Sequence, residues 1–242
     1  MNYNDYTDPK VVAIKLAQTI QQDIASTTNC FNWALSGGNS APLLYEILTS
    51  EPFASSIDWS KVRFFFTYEH MGKRANSNVA QAYAYLFEKL NIKEEQIFAI
   101  NPEAADLNQE VERYRSVVRE QVPQIGGYPR FDLALLEIGE DGRTAGVFPG
   151  QMEMFVAEDV YLPNKNIKTK EQVITLSLAA LEESKKIIFF TTGPEARFVL
   201  GDILNLMPEA KEYPANFLAA KCPWAHLFAD AQAMREKSYS IY

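Results

Sequence analysis

Residues Phe131–Ile138 constrain the fold more than any other stretch of the chain. They form an apolar run with the character of a buried strand. The run breaks at Gly139-Glu140-Asp141-Gly142-Arg143-Thr144-Ala145, a turn rich in glycine and acid, and closes on Phe148-Pro149-Gly150. In a sheet of parallel strands such a turn falls at the carboxyl edge, where reactive groups are presented.

The rest of the chain alternates strand-like and helix-like segments. Helical spacing covers Val11–Ser26, after a turn at Asp8-Pro9. Cys30–Leu35 reads as a short strand ended by Ser36-Gly37-Gly38, and Pro42 suits the first turn of a helix running to about Leu48. Strands are expected at Val62–Thr67, Gln172–Leu176, Lys186–Thr192 and Ala225–Phe228. Helices are expected at Ser77–Leu90, at Leu107–Glu120, in a short stretch after Leu176 running to Glu183, at Pro194–Leu204 and from Ala229. The loops at 121–130 and 158–171 read as surface connections. This alternation predicts a single domain over 1–242, an α/β, Rossmann-like, mostly parallel sheet with helices on both faces. Four turns then share one crevice: 36–42, 67–78, 139–150 and 192–197.

Composition narrows the partners. The net charge of -8 is spread along the sequence, which argues against nucleic acid or an anionic membrane. No apolar run reaches the roughly 20 residues that span a bilayer, and the polar start MNYNDYTDPK is not a signal peptide. Cys30 and Cys222 form neither a metal spacing nor a disulfide framework, and both are expected to be buried thiols of a cytoplasmic protein. No cofactor or metal is expected, and the oligomeric state is left open. His226 lies in an apolar run and reads as structural, while Tyr239 and Tyr242 belong either to an interface or to a frayed tail.

The first turn has the physics of an anion site. Gly37 and Gly38 allow a close backbone approach, and Ser36, Asn39, Ser40 and the amides of the next helix can donate to phosphate oxygens. Most Gly-Gly turns, however, are only tight connections. In the third turn Glu137 needs a partner if buried, so it faces the crevice or pairs with a cation such as Arg143.

Taken together, the four turns resemble the 6-phosphogluconolactonase and glucosamine-6-phosphate isomerase superfamily, over nearly the whole chain. Leu35–Pro42 is similar to its Ser-Gly-Gly-Ser-Thr-Pro loop. Gly139–Gly150 is similar to a turn that reads Asp-Gly-His-Thr-Ala-Ser in the family, whose histidine is the acid/base residue. Here that position is Arg143, which stays protonated and cannot act as a general base. The family's Asp-Glu-Arg reads Tyr68-Glu69-His70, with Ser77-Asn78 kept downstream. A tyrosine, with an ordinary pKa near ~10, is a poor substitute for the lost acid. Glu137 replaces a family glycine, and Val173 and Ala196 stand where lactonases carry an arginine and a lysine near the substrate phosphate. Arg197 comes one residue late, a turn of about 100° on a helix.

The resemblance implies a 6-phosphogluconolactonase-like protein of carbohydrate metabolism, in the pentose phosphate pathway, with weak or lost lactone hydrolysis. It implies a sugar phosphate or other small anion as ligand. Candidate catalytic residues are His70, Glu69, Asp141 and Arg143, with His70 a relocated base and Arg143 a phosphate or oxyanion contact. Candidate binding residues are Ser36, Gly37, Gly38, Asn39, Ser40, Asn78, Thr144 and Arg197. The alternatives are a non-catalytic sugar-phosphate binder, or a related hydrolase or isomerase acting on another sugar, one without phosphate included.

Overall fold

The computed structural model describes residues 2–72, 77–154 and 157–234. Tyr239 and Tyr242 lie outside the described residues. In chain order the strands are β1 (Asn2–Tyr6), β2 (Phe31–Leu35), β3 (Val62–Phe66), β4 (Tyr68–His70), β5 (Gln124–Ile125), β6 (Tyr128–Pro129), β7 (Leu133–Leu136), β8 (Tyr161–Lys165), β9 (Gln172–Leu176), β10 (Ile187–Thr191) and β11 (His226–Asp230).

Six of them form one sheet in the order β1-β11-β10-β7-β2-β3, and every pairing in it is parallel. Every residue of β2, β7 and β10 is buried, so both faces of the sheet are covered. Helix Pro9–Ser26 begins where the sequence punctuates it. Asp8 caps it by accepting from the amides of Lys10 and Val11, and Pro9 occupies the first turn. Its residues Val12, Leu16, Ile20 and Ile24 are buried at helical spacing. Among the described residues no helix is long and apolar enough to cross a membrane.

The direction of the chain changes between β2 and β7. After β2 it moves outward to β3 at one edge; after β7 it moves the other way, to β10. Loops leaving the carboxyl ends of these two neighbours therefore diverge and leave a crevice between them.

The structure adds to and corrects several expectations. β1 adds to the edge of the sheet beside β11, in a segment for which no element was expected. The loop at 158–171 contains β8, and the loop at 121–130 contains the β5–β6 hairpin. β8 pairs only with β9, so the missing amide of Pro163 is tolerated on an edge. The helix expected over Ser77–Leu90 is α-helical at Asn78–Ala82, a π-turn at Tyr83–Phe87 and α-helical again at Glu88–Leu90. Cys222 is buried as expected, but Cys30 is half-buried.

Candidate active site

A cavity of about 820 Å³ opens at the switch point between β2 and β7. It joins the turns after β2, β7 and β10 to a second sheet, the antiparallel β4-β9-β8. Of the sequence-predicted site residues, Gly38, Asn39, His70, Asn78, Arg143 and Thr144 line it.

Strand alternation decides what β4 presents. Tyr68 and His70 fall on one face and Glu69 on the other. His70 pairs with Val173 of β9, so Glu171 is its diagonal neighbour on the same face. His70 Nδ1 lies 3.1 Å from Glu171 Oε1, with both side chains mostly enclosed at the cavity. Burial pulls the imidazole below its ordinary 6.5 and the charge of Arg143 adds to this, while Glu171 pulls the other way. The ring is therefore neutral near pH 7. The contact is one of distance and charge, since buried Nδ1 makes no hydrogen bond of ordinary geometry; a proton held on Nδ1 beside this carboxylate leaves Nε2 to accept one. Glu171 was missed from the sequence, because only the pairing of two distant strands brings it to His70.

Glu69 is fully buried and turned away from the cavity. It accepts from the amides of His70, Asn78 and Val79 at 2.7, 2.9 and 2.7 Å, and from the Ser77 hydroxyl at 3.1 Å. Burial lifts its pKa to about 7 against these four donors. Geometry makes it the anchor of the following helix. The reach of Asn78 into the site follows from it: Asn78 Nδ2 donates to the Tyr68 carbonyl at 2.9 Å. Tyr68 is itself at the cavity, and burial, with Glu137 second, raises its hydroxyl far above the ordinary tyrosine range.

The loop after β2 holds a side chain from the strand beside it. Glu137 accepts from the amides of Asn39 and Ser40 at 2.9 and 2.8 Å and from the Ser40 hydroxyl at 2.6 Å. The choice between crevice and cation resolves into the crevice, with backbone amides as partners. Gly38 has φ +103, and a Cβ there would overlap Glu137 Oε2, so both the turn and the carboxylate require a glycine. Burial raises the Glu137 pKa; the Ser40 hydroxyl, the two amides and Arg143 oppose it. The donors that the sequence assigns to a phosphate are thus engaged by the protein's own carboxylate. Ser40 Oγ also accepts from the Thr192 amide at 3.0 Å, tying this loop to the turn after β10.

Arg143 reaches the cavity with its Nη1 3.0 Å from Asp141 Oδ1, and Asp141 itself does not line the cavity. Arg197 lies over the ring of Phe198 at 4.5 Å and does not line it either. Ser36, Gly37 and Ser40 sit behind the surface of the loop. Ala196 is at the wall, and Val173 is buried in β9. Among the described residues no three His, Cys, Asp or Glu side chains come together as a metal ion would need.

Comparison with known proteins places this geometry. Residues 7–226 match the family of glucosamine-6-phosphate isomerases/6-phosphogluconolactonase. A probable 6-phosphogluconolactonase 2 of Arabidopsis thaliana is 32% identical over 225 residues, covering 86% of this chain and 85% of that protein. The 6-phosphogluconolactonase of Haemophilus influenzae is 27% identical over 238 residues, 97% of this chain and 99% of its own. The crystal structure of a devB protein superposes with a TM-score of 0.88 at 25% identity, covering 96% of this chain and 97% of that one.

Proposed function

The chain belongs to the glucosamine-6-phosphate isomerase/6-phosphogluconolactonase family, and on that premise we propose that its crevice opens a sugar lactone with a relocated base. The observation that carries this reading is the His70–Glu171 contact of 3.1 Å at the cavity wall, with an imidazole held neutral by burial. Nε2 of His70 takes a proton from water as the water oxygen bonds to the lactone carbonyl carbon. Arg143 faces the negative charge that gathers on the carbonyl oxygen. The bond from that carbon to the ring oxygen then breaks, and the imidazolium returns its proton to the ring oxygen. The product is an open-chain acid, which loses a proton to solvent. Glu171 is the positioning residue, its carboxylate favouring a proton on the nearer nitrogen, Nδ1.

The reading is tested by following acid release from freshly prepared δ-gluconolactone and 6-phosphogluconolactone, corrected for spontaneous opening. A positioned base contributes about 10²–10⁴-fold in rate, so His70→Ala should fall by at least about a hundredfold on whichever lactone the wild type opens. Equal rates for the two proteins would remove His70 from the mechanism. A second reading, binding without turnover, is favoured by the Arg143–Asp141 pair, which competes for the guanidinium. Saturable sugar binding with only background hydrolysis would select it.

A further inference from the structure

The loop after β2 offers three donors to an oxyanion: the amides of Asn39 and Ser40 and the Ser40 hydroxyl. Glu137 takes all three at 2.9, 2.8 and 2.6 Å. Its carboxylate arrives from the end of β7, in space that Gly38 leaves open. An entering phosphate must either displace this carboxylate or sit beside it. The remaining charges at the wall do not help it. Among the described residues, four carboxylates line the cavity, those of Glu137, Glu140, Glu171 and Glu195, against one guanidinium, that of Arg143. Like charges brought together in this way oppose the entry of a phosphate.

The neutral groups at the wall suit hydroxyls. Asn39, Asn78, Gln81 and Thr144 are uncharged polar residues of the wall, with amide and hydroxyl groups of the kind that pair with ring hydroxyls. Tyr85, 43% exposed on the π-turn, adds an aromatic face at the rim.

We infer that the crevice takes an unphosphorylated sugar lactone, an uncharged polyhydroxylated ring, and that Glu137 is a built-in anion standing on the donors where a ligand's phosphate would otherwise bind. The reaction rests on the lactone-opening reading above; the refusal of phosphate does not.

Two measurements test it, on wild type and Glu137→Gly, with Glu137→Ala as the second variant should the glycine protein fail to fold. In the first, kcat/KM of the wild type for δ-gluconolactone should exceed that for 6-phosphogluconolactone by at least about tenfold, given the cost of opposed like charges. Removing Glu137 should narrow or reverse the ratio. In the second, inorganic phosphate is titrated calorimetrically at fixed ionic strength. The wild type should give no saturable heat, and the variant lacking Glu137 should bind. A wild type that prefers the phosphorylated lactone, or binds phosphate as tightly as the variant, overturns the inference. If the wild type opens neither lactone, the reaction assignment fails while the phosphate titration still decides the role of Glu137.

Discussion

At the residue scale, one period of strand alternation separates a tyrosine, an acid and a histidine into different tasks. Tyr68 and His70 face the cavity, and Glu69 between them faces the core. Glu171 should act through His70. Its carboxylate raises the imidazole pKa, which burial has lowered. For a base that works deprotonated, activity is present above that pKa and lost as pH falls through it. We expect the acid limb of kcat/KM to lie below 6.5 in the wild type, the ordinary value of the group. Glu171→Gln should move the limb further to the acid side and lower kcat with little change in KM. A limb that stays in place would detach Glu171 from the base. Glu69 calls for a different experiment. Its four donors include three backbone amides, and Glu69→Gln turns an NH₂ group toward some of them. Leaving buried donors unpaired costs about 1–3 kcal/mol, read as a lower midpoint in urea. An unchanged midpoint would return Glu69 to the list of candidate acids.

At the scale of elements, what the sequence reveals is what hydrophobic burial dictates. β2, β7 and β10 are buried along their whole length, so their apolar runs announced them, and Asp8 and Pro9 announced the first long helix. β1, β8 and the β5–β6 hairpin were illegible because they lie at sheet edges or in a small ribbon, where backbone pairing needs no apolar pattern. The edge at β3 is closed by a backbone bridge, the Phe98 amide donating to the Phe64 carbonyl at 2.8 Å, and by side chains. The Phe66 amide donates to the Tyr114 hydroxyl at 2.9 Å, that hydroxyl donates to the Phe98 carbonyl at 3.0 Å, and Tyr161 donates to the Phe66 carbonyl at 2.8 Å. Tyr114 is fully buried. Tyr114→Phe keeps the ring and strands the Phe66 amide, so we expect a loss of about 1–3 kcal/mol in denaturant unfolding. The preference between the two lactones should not move, because Tyr114 does not line the cavity. Coupled changes in both would mean that the β3 edge positions the site.

At the scale of the whole molecule, the place of the crevice follows from topology, and its charge does not. Any chain that runs outward from β2 to β3 and the other way from β7 to β10 leaves an opening at their carboxyl ends. The convergence of four turns was therefore readable from the alternation of elements and the four motifs. The occupant of the anion loop was not. Glu137 and Ser40 are 97 residues apart, and only adjacent strands bring them within a hydrogen bond. This contact changes what should stabilise the protein. A ligand that binds the folded state alone raises stability by about 2.7 kcal/mol at one hundred times its Kd, which for a chain of this size corresponds to roughly 5–10 °C in Tm. Gluconolactam, an uncharged ring that does not hydrolyse, should produce a shift of that order at saturation. Inorganic phosphate at equal ionic strength should produce none in the wild type and a clear one in Glu137→Gly. Tyr85→Ala should reduce the gluconolactam shift, since the exposed aromatic face at the rim is lost. A shift with phosphate and none with the lactam would show that the loop still receives an external anion and that Glu137 yields to it.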